Sequence, residues 1–165
     1  LGAPKRAGVN LDPRDFIQGS PLHDTDELTI NQRQVGAPLA FTLADFDLPV
    51  FSRQLAEVLA TLAPREIQRI PVRVHGVDGD YEILNATKRV DALDVRRSTV
   101  VWWESGGIRP DLVGKPKLVL NLHVDPARAA GHKFFRLDNW NVPLIVSREV
   151  AHALVGYSGV QLQPA

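Results

Sequence analysis

The chain has 165 residues and 18.2 kDa, with 44% hydrophobic and 23% charged residues, which is the size and make-up of one globular domain and excludes disorder, collagen and coiled coil. Nineteen basic residues balance nineteen acidic ones, so no bulk charge draws the chain to nucleic acid or to an anionic membrane. There is no cysteine, which removes disulfides, thiolate nucleophiles and Cys-ligated zinc together.

Apolar runs such as Val142 to Val146 are only a few residues long, whereas a membrane helix needs about 20. Lys5 and Arg6 are followed by no apolar stretch of signal-peptide length. The sequence has no methionine and starts at Leu1, which suggests that its native start is missing. Arginine outnumbers lysine fourteen to five, a bias that fits a GC-rich bacterial genome.

Residues 1–40 carry Pro4, Pro13, Pro21 and Pro38 with few periodic apolar positions. They are expected to form an irregular N-terminal arm of the same domain, with residues 41–165 as its α+β body. The first fifty residues hold four bases and seven acids, among them Asp24, Asp26, Glu27, Asp45 and Asp47. That asymmetry marks the arm as a candidate contact for a partner.

An internal echo follows. Phe46-Asp-Leu-Pro49-Val-Phe-Ser52-Arg53 resembles Trp140-Asn-Val-Pro143-Leu-Ile-Val-Ser147-Arg148, with one residue inserted in the second copy. In each, a serine placed before an apolar helical stripe predicts an N-cap, its hydroxyl accepting an orphan amide of the first turn. Leu55, Val58, Leu59 and Leu62 form the first stripe, which Pro64 ends. Val150 and Leu154 form the second, with Gly156 as its stop. Both copies read strand, serine cap, helix.

Ile70, Val72 and Val74 alternate with other residues before an Asp78-Gly79 turn, and Tyr81 and Ile83 resume the pattern, which predicts a β-hairpin. Pro71 has no N–H to give, so its strand is expected at an edge or at a strand start. Further strands are expected at Thr99–Trp103, Lys117–Leu122, Lys133–Leu137 and Gly159–Gln163. Asp125-Pro126 to Gly131 predicts one capped helical turn. The fold class is α+β, a single domain of largely antiparallel sheet with two short helices.

Chemical candidates are few. His123, Asp125 and His132 form the only histidine-rich neighbourhood, and they define the alternative of a small metal-dependent hydrolase. Against it, Asp125 already serves as a cap and no third ligand has diagnostic spacing. Neither Ser52 nor Ser147 lies in a Gly-x-Ser-x-Gly elbow, and Gly106-Gly107 lacks the surroundings of a phosphate loop. No cofactor is expected. Trp102 and Trp103 are adjacent in a strand and must point to opposite faces, one into the core and one outward as an interface anchor.

Several blocks in order resemble a known family: Pro49 to Ser52, Tyr81-Glu-Ile-Leu-Asn85, Val90-Asp-Ala-Leu-Asp94 with Ser98, Gly131-His-Lys-Phe-Phe-Arg-Leu137, and Pro143 to Ser147 with a closing Gly159-Val-Gln-Leu. From roughly Phe41 to Gln163 the chain is similar to bacterial immunity proteins of polymorphic-toxin and type VI effector pairs, including a myxobacterial protein that protects against a nuclease toxin. The resemblance implies a non-enzymatic cytoplasmic inhibitor of one cognate toxin encoded by a neighbouring gene, without direct nucleic-acid or membrane binding. The matched blocks carry structure and do not locate the toxin-binding surface; Asp24, Asp26, Glu27, Asp45, Asp47, Trp102 and Trp103 are the candidates for it. A regulatory scaffold is the third reading.

Overall fold

The computed structural model describes residues 1–165 as an α+β domain of twelve strands and two helices. Seven strands build the main sheet: β1 (Pro4–Arg6), β2 (Val9–Asn10), β3 (Leu28–Asn31), β4 (Phe41–Ala44), β5 (Leu48–Ser52), β6 (Ile67–His75) and β7 (Tyr81–Ala86). Their order is β2-β1-β3-β6-β7-β5-β4, antiparallel throughout except for the parallel pair β3–β6. The sheet is strongly curled. Three strands lie between β3 and β4, yet Arg33 just beyond β3 forms an ion pair with Asp45 just beyond β4.

Alternation along the strands sets two cores on the two faces of this sheet. Ile70, Val72 and Val74 of β6, Tyr81 and Ile83 of β7, and Leu48 and Val50 of β5 point inward, where Phe16 and Ile17 from a 3₁₀ turn at Pro13–Ile17 plug the curl. Phe51 and Leu84 point outward and are covered by α1 (Arg53–Leu62) and α2 (Arg148–Leu154) through Leu55, Leu59, Val150 and Leu154. A third, smaller core gathers Val90, Ala92, Leu93, Phe135 and Leu137. It lies under β8 (Arg89–Val90), β11 (Phe134–Leu137) and β12 (Leu144–Val146), which form a sheet in the order β12-β11-β8. Beside it, β9 (Thr99–Trp102) and β10 (Pro116–Leu120) form a separate two-stranded sheet.

The echo in the sequence is an echo in the fold. β5 runs into α1 and β12 into α2, with Ser52 and Ser147 at the two N-caps; their Oγ atoms accept the amides of Leu55 and Val150 at 3.4 and 3.3 Å. The β6–β7 hairpin turns at Gly79, whose φ of +117° suits glycine.

Residues 1–40 are largely irregular between short elements, and those elements are built into the domain: β1, β2 and β3 belong to the main sheet, β3 pairs with β6 over Leu28–Asn31, and the 3₁₀ turn enters the first core. Two local expectations need correction. Pro71 lies in the middle of an interior strand. It is tolerated because β3 begins pairing only at Val72, leaving the outer side of β6 open over Ile67–Pro71. Gly159–Gln163 is not a strand. Gly159 has a φ of +84° and lies so close to β4 that a Cβ there would stand 2.0 Å from the Phe41 carbonyl oxygen.

Candidate functional site

The fold employs most of the polar residues that could have carried chemistry. Asp125 caps the turn that follows it, its Oδ1 accepting the amides of Ala127 at 2.9 Å and Arg128 at 3.3 Å. The backbone N–H of His123 donates to Ser98 Oγ at 2.9 Å, and its carbonyl accepts from Asp94. The Nδ1 of His132 lies 2.7 Å from Glu66 Oε1, on the edge of the second core. His132 therefore partners Glu66 rather than Asp125, and nowhere do three His, Asp or Glu side chains gather as a metal-ion site.

Burial reveals a different set of polar residues, invisible to spacing. Glu66 is 8% exposed, and besides His132 it accepts the backbone amides of Lys133 and Phe134 at 2.8 and 2.9 Å. One carboxylate thus ties the entry of β6 to the entry of β11. Glu82, near the start of β7, takes a two-pronged hydrogen bond from Arg69 at 2.6 Å for each arm; that bond raises the Arg69 pKa further. Asn85 and Gln68 face each other across β6 and β7. The Asn85 amide donates to the Ser20 carbonyl and to Gln68 Oε1, while Gln68 clasps both backbone groups of Leu22. This pair fixes the N-terminal segment to the sheet.

Arg136 is the most buried cation, 1% exposed within β11. Its Nη1 donates to the carbonyls of Asn141 and Val142, both at 2.8 Å, and no carboxylate lies within ion-pair distance. Burial pushes its pKa down to about 10, against the pull of Asp47, which leaves it charged at neutral pH. Its work is to hold the loop before β12.

The seven candidate contact residues fall in three places. Asp24, Asp26 and Glu27 line the approach to β3, Asp45 and Asp47 occupy the 3₁₀ turn at Asp45–Asp47, and the tryptophans belong to the β9–β10 hairpin. Asp45 is neutralised by Arg33. Asp24, Glu27 and Asp47 are held at positive φ of 54–55°, as is Phe46 at 57°, a conformation that L-residues adopt at a cost. Phe46 is 63% exposed, with the Arg14 guanidinium 5.2 Å over its ring. The sequence marks it only as the start of the internal echo and not as a contact residue, because its exposure follows from that turn.

Neither tryptophan enters the core. Trp102 is 42% exposed, and Trp103 is half-buried beneath the Lys117 ammonium, 5.0 Å from its ring centre. The reason is that β9 pairs only with β10, so no second layer closes over the hairpin's end. Trp102 lines a cleft of about 500 Å³ together with Leu93, Asp91, Asp94, Asp125 and Arg128. A wider, open concavity of about 1150 Å³ lies over the polar face of β3, β6 and β7, where Lys5, Arg53 and Arg73 alternate with Glu27, Asp78 and Asp80.

With cores, caps and buried ion pairs accounting for the residues that resisted a catalytic reading, the domain has the form of a compact surface-bearing module. Residues 5–164 match the immunity protein family Imm11, and the chain belongs to that family. Its role is that of an immunity protein, which implies binding to a cognate toxin. No curated protein matches it in sequence. No helix is long and apolar enough to cross a membrane.

Proposed function

We propose that this chain is a non-enzymatic inhibitor that binds one cognate toxin, a nuclease effector of an interbacterial competition system, and occludes its active site or substrate surface. The toxin is encoded by a neighbouring gene and delivered between kin-discriminating cells by type VI secretion, and the immunity protein waits in the cytoplasm. The observation that carries the reading is the family match over nearly the whole chain. The engagement of Asp125 as a cap and of His132 in a hydrogen bond with Glu66 supports it, since these are two of the three side chains, His123, Asp125 and His132, that the alternative hydrolase would use.

Fast capture matters to an immunity protein, and unlike charges raise association rates more than they deepen affinity. Asp24, Asp26, Glu27 and Asp47, together with Asp45 when Arg33 releases it, are the carboxylates that steer the encounter. Trp102 and Trp103 supply desolvated contact once it is made. The test is to co-express this chain with a catalytically inactivated product of the adjacent toxin-like gene. A stable one-to-one complex is expected, with no turnover of generic ester or phosphodiester substrates by the immunity protein alone. Turnover without a complex would reinstate the hydrolase reading.

A further inference from the structure

The β9–β10 hairpin differs from the rest of the surface in what it leaves uncovered. Val100 and Val119 pack onto the third core, so alternation puts Val101, Leu118 and Leu120 on the opposite face, where all three are exposed. Val101 and Leu118 are direct cross-strand partners, and Leu120 stands opposite Thr99 on the same side, making one contiguous apolar strip. In the connecting loop Ile108 is 93% exposed. Both outer edges of the hairpin are unpaired. Nothing in the fold requires apolar side chains there, and on an open edge they carry an aggregation risk.

Charge says what would cover the strip. The chain is neutral overall, yet residues 95–121 hold five basic residues against two acidic ones. Arg109 is engaged by Asp111 at 2.6 Å. Arg96, Arg97, Lys115 and Lys117 have no carboxylate partner, and Lys117 only overlies Trp103. An apolar strip carried on a segment whose unpaired charge is mainly positive is the complement of a protein surface with an apolar ridge flanked by carboxylates.

We infer that the outer face of the β9–β10 hairpin is the principal docking surface for the toxin domain, received through an apolar ridge bordered by acidic residues. The inference rests on the immunity reading and deepens it, naming the face and the chemistry of its partner. The carboxylates of the N-terminal segment then meet a second, basic region of the same toxin. Opposite signs on two faces of a neutral chain fix the orientation of the complex.

The probe is the inactivated product of the adjacent toxin-like gene, titrated by calorimetry and by surface kinetics. Leu118→Ser with Leu120→Ser changes outward side chains only; it is expected to keep the unfolding midpoint and to weaken the dissociation constant at least about tenfold through faster release. Lys115→Glu with Lys117→Glu should slow association several-fold at low salt. Ile108→Asp, in the loop and outside both strands, guards against a folding defect and should also weaken binding. If the wild type does not bind the probe, the immunity reading itself fails. If the wild type binds and all three variants bind equally well, the hairpin is overturned as the docking face while the reading stands. The inference is likewise overturned if the strip proves to be covered by a second copy, seen as dimers that Leu118→Ser with Leu120→Ser dissolves. Binding of phosphatidylglycerol vesicles that the same variant abolishes would also overturn it.

Discussion

Glu66 and His132 are in direct contact, Oε1 to Nδ1 at 2.7 Å, across a sequence separation of 66 residues. The other carboxylate oxygen holds the amides of Lys133 and Phe134, so a single side chain fixes where β11 begins against the second core. Removing it strands one buried and one part-buried donor, and leaving buried groups unsatisfied costs more than the bonds themselves are worth. Glu66→Ala should lower stability by about 3 kcal/mol in urea unfolding, with Glu66→Gln intermediate because it retains one acceptor oxygen. His132→Ala, which leaves both amides satisfied, should cost less than either.

The two serine caps give a second check. Ser52→Ala and Ser147→Ala each remove one hydroxyl acceptor from a helix start, at a cost of about 1 kcal/mol apiece. Toxin binding should be unchanged in both. A large loss of binding at unchanged stability would mean that a serine acts on the partner directly.

Gly159 and Gly131 share a φ of +84°, but only Gly159 is crowded. At Gly131 nothing lies within 4 Å of an added Cβ, so Gly131→Ala pays left-handed strain alone, about 1 kcal/mol. Gly159→Ala must in addition push the closing segment away from β4, where the Phe41 amide donates to the Ser158 carbonyl. Its unfolding midpoint should fall well below that of Gly131→Ala.

The alkaline limb of the stability curve carries the mark of Tyr81. Burial raises its phenol pKa above the ordinary value of 10.0, so the folded state keeps a proton that the unfolded chain releases. That contribution is complete below pH 10.0 and is lost as pH climbs through the folded-state value. Arg136 works in the opposite sense: its guanidinium gives up its proton more readily when folded. Relative to wild type, Tyr81→Phe should therefore keep more of its stability above pH 10.0, measured by chemical unfolding at a series of pH values.

How much of this was legible in the sequence depends on how local the cause is. Serine caps, the Asp78-Gly79 turn and the helical stripes are decided within a few residues, and they stand where the sequence places them. β3 is short and is held in the sheet by β6, more than forty residues away, a pairing that no window over residues 1–40 contains; β1 in turn joins the sheet only through β3. At Gly159–Gln163 the alternation of Val160 and Leu162 imitates a strand, while the backbone of Gly159 is fixed by β4 instead. Glu66, Glu82, Asn85 and Arg136 look like ordinary surface residues in the sequence; only burial shows them as the polar joints between elements. The candidate contact residues were chosen for charge clustering and aromatic character. Those signals pick out Trp102, which is exposed, and pass over Phe46 and the strip of Val101, Leu118 and Leu120, whose exposure is a property of the assembled fold.

The most direct measurement of the central claim is protection of living cells. The active product of the adjacent toxin-like gene is expressed from one inducible promoter and this chain from another, and growth is followed after induction of both. The account predicts that the toxin alone arrests growth and that this chain restores it, with Glu66→Gln still protecting in proportion to its folded fraction. Growth arrest that persists in the presence of abundant, folded wild-type chain would contradict it.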